Sequence, residues 1–172
     1  MKKSQAGFTL VELVVVILIL GILSATALPR FMNINDQAHQ AGVSGAAGGF
    51  GAGVALARAQ WIANQEAPGV DDVVNFGAGD VAVSTSNAGT TQTGWPTGTG
   101  TSDNIANATD CAQLWTGIMQ NPPSVSTAAN TNDYTAAAVG TTGCIYNYNN
   151  DAANTRTITY SIVDGSVTLV NP

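Results

Sequence analysis

The hydrophobic pattern changes character twice along the chain. From Phe8 to Leu28 nearly every position is apolar, and Leu13 through Leu20 hold no polar side chain. As an α-helix this run is roughly 30 Å long, the thickness of a bilayer's hydrocarbon core. Beyond Pro29 the apolar positions thin out. Phe31, Ile34, Ala38, Ala41, Gly45, Gly48, Ala52, Ala55, Ala59 and Ile62 recur every three or four residues, the spacing of one helix face. A second row, Val43, Ala47, Phe50, Val54 and Trp61, is bulkier and lies about a third of a turn away. The pattern predicts a helix over 29–66 whose bulky row packs on the chain's own sheet. The row of small side chains, which lets helices approach closely, is left for other helices. The alternative is that both rows fill one monomer core. Gly42, Gly45, Gly48, Gly49, Gly51 and Gly53 each disfavour helix by about 1 kcal/mol against Ala, so packing must hold this stretch.

From "APGVDD" (67–72) onward the signals are strand and turn. "VVNF", "DVAVS" and "GCIYNYN" read as short strands, and "NAGTTQTGWPTGTGTSDN" (87–104) reads as an exposed loop. "TDCAQLWTGIMQNPP" predicts a short helix capped by Thr109 or Asp110 and stopped by Pro122-Pro123. Leu114, Trp115, Ile118 and Met119 form its apolar face. In "TRTITYSIVDGSVTLV" two alternating runs flank Asp164-Gly165, a two-residue hairpin signal that puts Ile158, Tyr160 and Ile162 on one buried face. The predicted fold class is α+β. A long N-terminal α-helical spine is followed by a C-terminal antiparallel β-sheet head.

Charge narrows the function. Only 9% of residues are charged, against roughly 25% in an ordinary soluble domain, and the formal net charge is −6. Lys2 and Lys3 precede the apolar run, which places them on the cytoplasmic side and the bulk of the chain across the membrane. Arg30, Arg58 and Arg156 are scattered among eleven acids. Nucleic acid needs clustered cations, so no nucleic-acid partner is expected. Behind a membrane-targeting N-terminus the compartment is oxidising, and Cys111 and Cys144 read as one disulfide rather than two unpaired thiols. It closes a loop of about thirty residues and contributes about 3–4 kcal/mol.

The chemical inventory is thin. His39 reads as a solvated or hydrogen-bonded helix residue. "GGFGAGVALAR" has neither nucleotide-loop spacing, and no metal-ligand spacing or G-x-S-x-G stands out. Asp71, Asp72 and Asp80 read as exposed loop acids rather than a calcium site. Asn107-Ala108-Thr109 is a formal glycosylation triplet. Trp95, between Gly94 and Pro96, either stacks on a sugar or covers the sheet edge, whereas Trp61 and Trp115 read as core. No enzyme, metal or cofactor is expected.

One residue resists all of this. Glu12 puts a carboxylate into the apolar run, where a charge costs free energy without a partner. An ordinary secretory signal cut after Ala27, releasing a soluble binding module, leaves Glu12 unexplained, and so does a plain membrane anchor. "KKSQAGFTLVELVVVILILGIL" resembles the type IV prepilin signature: a short basic leader ending in Gly7, then Phe8, Thr9, Leu10, and Glu12. The resemblance implies cleavage between Gly7 and Phe8 by a prepilin peptidase and N-methylation of Phe8. It implies that Glu12 meets the N-terminal amine of a neighbouring subunit, so that Phe8 and Glu12 guide docking. It also implies a helix kinked or melted between Gly21 and Pro29 in the filament. The implied parts are a leader (1–7), a transmembrane and filament-core helix (8–28), an amphipathic second half (29–66) and a β-rich head (67–172). The implied partners are further copies in a helical filament, the peptidase, the pilus assembly machinery and the inner membrane before assembly. The filament reaches the extracellular surface, where a glycan or an abiotic surface is the attachment target. "CAQLWTGIMQNPP" and "LPRFMNINDQAHQAGV" are similar in particular to the pilins of the mannose-sensitive haemagglutinin pilus. A type II secretion pseudopilin and a minor pilin share the N-terminus and remain rivals.

Overall fold

A computed structural model of the chain describes residues 7–64, 72–76, 79–84, 94–99 and 104–172. The chain divides into two compact units, Met1–Ala38 and His39–Pro172. The helix α1, Leu10–Ala63, contributes its first part to one unit and its last part to the other.

In the first unit the large apolar side chains from Phe8 to Leu28 are all exposed. By length and composition this stretch of α1 can cross a membrane. The weak segment before Pro29 satisfies its hydroxyls on its own backbone. Ser24 Oγ donates to Leu20 O at 2.7 Å and Thr26 Oγ1 to Leu23 O at 3.0 Å. α1 stays helical through Gly21 and Pro29; the melting expected above concerns the filament, not the single chain.

In the second unit the bulky row of α1 is the floor of the core. Val43, Ala47, Phe50, Val54 and Trp61 are buried. Two sheets and a short helix complete the unit. Strands β1 (Asp72–Phe76), β2 (Gly79–Val83) and β3 (Pro96–Gly98) form a three-stranded antiparallel sheet. The helix α2, Ala108–Ile118, buries Cys111, Leu114, Trp115 and Ile118. Strands β4 (Val125–Ser126), β5 (Tyr134–Val139), β6 (Gly143–Tyr148), β7 (Thr157–Ser161) and β8 (Val167–Val170) form a second sheet in sequence order. An aromatic cluster joins these layers. Phe50 lies 5.4 Å from Trp115, 5.2 Å from Tyr146 and 5.5 Å from Tyr160 between ring centroids, distances at which edge and offset packing are favourable. The polar ends are satisfied: Tyr146 donates to Cys111 O at 2.9 Å, Tyr160 to Pro96 O at 2.8 Å and Trp115 Nε1 to Pro123 O at 2.9 Å. Burial raises the Tyr146 and Tyr160 pKa values well above their usual one. Cys111 and Cys144 are joined in a disulfide, Cα atoms 5.7 Å apart, tying α2 to β6.

Four expectations are corrected here. The stretch 87–104 is not all loop, because β3 lies inside it, fully buried. The second sheet is mixed: the two-residue β4 runs parallel to β5 while every other pair is antiparallel. The cap of α2 is Asn107, whose side chain accepts from Thr109 N at 2.7 Å and Asp110 N at 3.2 Å. Asp110 returns the bond by accepting from Asn107 N at 3.1 Å, a reciprocal box that outcompetes a cap placed later. The β7–β8 hairpin turns through Ile162–Gly165 rather than two residues, closed by Ser161 N donating to Ser166 O at 3.0 Å, with Gly165 at φ +72°. Ile158, Tyr160 and Ile162 are buried as the alternation predicts.

Candidate assembly site

Gly7 and Phe8 lie in an irregular segment just ahead of α1, and Phe8 is 88% exposed. Thr9 caps the helix. Its backbone N–H and its hydroxyl each donate to Glu12 Oε2 at 2.8 Å, and its hydroxyl accepts from Glu12 N at 3.3 Å. This is a capping box of the Thr-x-x-Glu form, so Glu12 has a task within its own chain that the sequence reading passed over. The positive end of the helix dipole also favours a carboxylate there. The box uses Oε2, while Oε1 has no hydrogen-bond partner among the described residues. Glu12 is thereby oriented by Thr9 on an apolar helix. Gly21 and Pro29 both lie within α1, and no described atom outside the helix comes within 4 Å of where a Gly21 Cβ would stand.

Every member of the small row from Phe31 to Ile62 is exposed: Ala38, Ala41, Gly45, Gly48, Ala52, Ala55, Ala59 and their flanking Phe31, Ile34 and Ile62. The two rows therefore serve separate surfaces, and the single-core alternative does not hold. Gly53 stands between them. A Cβ there would come within 2.6 Å of Ile118 O, so glycine is what lets α1 approach the end of α2.

Three further arrangements are visible only in the structure. Arg58 lies between two indoles, its Cζ 4.9 Å from the ring centroid of Trp61 and 4.9 Å from that of Trp95. Desolvation lowers the Arg58 pKa from its ordinary value, with Tyr160 acting in the opposite direction. Trp95, expected in an exposed loop, packs half-buried against the core. Arg156 is fully buried and binds Asp151 Oδ2 at 2.7 Å, Asn171 Oδ1 and Pro172 O. Asn171 also donates to Gln40 O at 3.0 Å and to Ser44 Oγ at 2.9 Å, which straps β8 to α1. Only a lone Arg just ahead of the alternating strand β7 signalled this. His39 Nδ1 shares a 3.0 Å hydrogen bond with the Tyr148 hydroxyl. The Asn107 amide of the glycosylation triplet is engaged as a helix cap. Asp71 and the side chains of Asp72 and Asp80 lie outside the described residues. Among the described residues no group of His, Cys, Asp and Glu could hold a metal ion.

Residues 2–28 match the model of the prokaryotic N-terminal methylation motif. The chain is similar to a type IV narrow pilus major component of Thermus thermophilus, 50% identical over 54 residues covering 31% of this chain and 47% of the relative. It is 36% identical over 78 residues to a fimbrial protein of Eikenella corrodens, covering 44% of this chain and 51% of the relative. It is also 51% identical over 37 residues to the type II secretion system core protein G of Pseudomonas aeruginosa, covering 22% of this chain and 26% of that protein. The chain thus spans between a quarter and a half of the length of these curated relatives. No solved structure matches it.

Proposed function

We propose that this chain is the structural subunit of a type IV pilus, polymerising through its N-terminal helix into a surface filament. The observation that carries the reading is a conjunction. The methylation motif covers residues 2–28, and the first stretch of α1, through Leu28, exposes all its large apolar side chains while holding one oriented carboxylate at Glu12. Leader removal after Gly7 frees the Phe8 amine. A precursor held in the inner membrane presents the Glu12 carboxylate, and the amine of a neighbouring copy is the cation that meets it. A charge left alone in an apolar layer is expensive, and pairing offsets that. The exposed apolar helix then exchanges lipid contacts for contacts with its neighbours. The relatives named above are pilus and secretion-apparatus components, which supports a structural rather than an enzymatic role. Attachment to a glycan or an abiotic surface, in the manner of the mannose-sensitive haemagglutinin pilus, rests on the stretches "CAQLWTGIMQNPP" and "LPRFMNINDQAHQAGV".

A second reading, a pseudopilin of a type II secretion system, is favoured by the similarity to core protein G. One experiment separates the two readings: the intact, non-reduced mass of protein sheared from the cell surface. A chain starting at methylated Phe8 and retaining the disulfide supports the pilin. The same mass confined to the envelope supports the pseudopilin. A chain starting at Leu28 means a secreted protein and removes the role assigned to Glu12.

A further inference from the structure

Beside Arg58 is a cavity of about 370 Å³ whose walls include Val54, Ala55, Ala59, Ile62, Trp95 and Gly165. Among the described residues, three hydrogen-bond donors in this region are buried without a partner: Arg58 Nη1, Trp61 Nε1 and Trp95 Nε1. The indole faces on either side of the guanidinium lower the cost of its desolvation, yet they supply no acceptor for Nη1. A buried donor without an acceptor is destabilising, more so when it is charged. The cavity wall is otherwise apolar, so it fits a carboxylate carried on an aliphatic stem.

The molecule's charge points to where that carboxylate comes from. The net charge is −6, so copies brought together repel unless cations are placed between them. With Lys2 and Lys3 in the leader, the remaining cations are Arg30, Arg58 and Arg156. Arg156 is consumed within the head by Asp151. Ala55, Ala59 and Ile62 of the cavity wall belong to the exposed small row of α1, the face left for neighbouring copies. We propose that the Arg58–Trp61–Trp95 clamp is an intersubunit site that takes an acidic side chain of a second copy of this chain. The proposal rests on the pilin reading and names a contact in the head that the N-terminal motif does not provide.

The test uses the full chain. Arg58→Gln and Arg58→Lys are expressed in place of the wild type, and sheared filaments, membrane-held processed subunit and the melting of the detergent-dispersed chain are measured. In parallel, wild-type filaments and dispersed wild-type chain are treated with phenylglyoxal, and modification at Arg58 is read by mass. Arg58→Gln is expected to be processed and to melt like the wild type, with filament yield down about tenfold or more. Arg58→Lys keeps the charge and loses the fork, so its yield falls between. Arg58 is expected to react in the dispersed chain and be protected in filaments. Wild-type filament yield from Arg58→Gln, or equal Arg58 reactivity in both states, overturns the clamp. If Arg58→Gln melts early, the reactivity comparison on the unaltered chain decides. Absence of filaments from the wild type overturns the pilin reading itself.

Discussion

The two stretches of α1 share one geometry and differ in where their apolar side chains go. In the first, Val11, Leu13, Ile17, Leu20 and Ile22 point around the whole circumference and stay exposed. In the second, Val43, Phe50, Val54 and Trp61 turn to one side and are buried, while Gly45, Gly48, Ala52, Ala55 and Ala59 remain outside. A helix apolar all round is stable only in a membrane or among other helices. A helix with one bulky and one small face is stable within its own domain and still leaves a surface where backbones can come close. The difference gives stability to the buried row of the second stretch and, on the proposed function, leaves the first stretch and the small row for assembly, and substitutions can separate the two.

The largest effect is expected at Glu12. Glu12→Ala removes the oriented carboxylate without touching the cleavage position, so processed subunit accumulates in the membrane and sheared filaments fall to background. Filaments at wild-type yield would mean that the carboxylate serves only the helix cap made with Thr9. The opposite contrast comes from Phe50 and Ala52, two positions apart on the second stretch. Phe50→Ala empties the centre of the aromatic cluster and is expected to destabilise the detergent-dispersed chain by about 3–5 kcal/mol in denaturant unfolding. Ala52→Lys lies on the exposed face and is expected to change stability by less than about 0.5 kcal/mol, while filament yield drops. If Ala52→Lys also unfolds the chain, the small face belongs to the monomer and the comparison fails.

How much of this was legible in the sequence depended on side-chain size and period. The two rows, the apolar face of α2 and the cysteine pair were all readable, because each is a repeat of bulky or distinctive residues. β3 and β5 were not. Pro96-Thr97-Gly98 and "YTAAAV" lack the β-branched and aromatic alternation that marks strands, and their burial is imposed by neighbours distant in sequence. The Asn107 cap was missed because Thr109 and Asp110 are equally good capping residues, and the reciprocal bond that decides between them is a matter of geometry. At the candidate site, Gly7, Phe8 and Glu12 were evident from the motif. The Thr9–Glu12 box lay within the same residues but was read only for its partner across subunits. Arg58 between Trp61 and Trp95 joins α1 to a segment more than thirty residues away, and no local pattern signals that.

Within the second unit, the disulfide gives the next effect in size. Cys111→Ser with Cys144→Ser opens a loop spanning 33 positions and is expected to lower stability by about 3–4 kcal/mol. Calorimetry of the detergent-dispersed double variant measures it. The first stretch of α1 holds no part of this bond, so cleavage at Gly7 is expected to be unchanged; altered processing would couple the two regions that the comparison separates.

The smallest effect is expected at the strap formed by Asp151 and Arg156. Arg156 holds the Asp151 carboxyl down to about 2, against about 3.9 in an unfolded chain. A carboxylate with a lowered folded pKa contributes stability that is fully present above the unfolded value and is lost as pH falls toward the folded one. The wild type is therefore expected to lose stability between about pH 4 and about pH 2. Asp133 and Asp164 are lowered by their hydrogen bonds with Ser124 and Ser166 and contribute to the same acid limb. Asp151→Asn removes one contributor. Its melting temperature at pH 7 falls, because a buried guanidinium has lost its charged partner, and its decline toward pH 2 becomes shallower than that of the wild type. Asn171 and Gln40 sit on the same strap, so Asp151→Asn also loosens β8 from α1, and amide exchange in Val167–Val170 is expected to rise. An acid limb as steep as that of the wild type would mean that Asp151 does not sense Arg156, and the strap would then rest on its amide contacts alone.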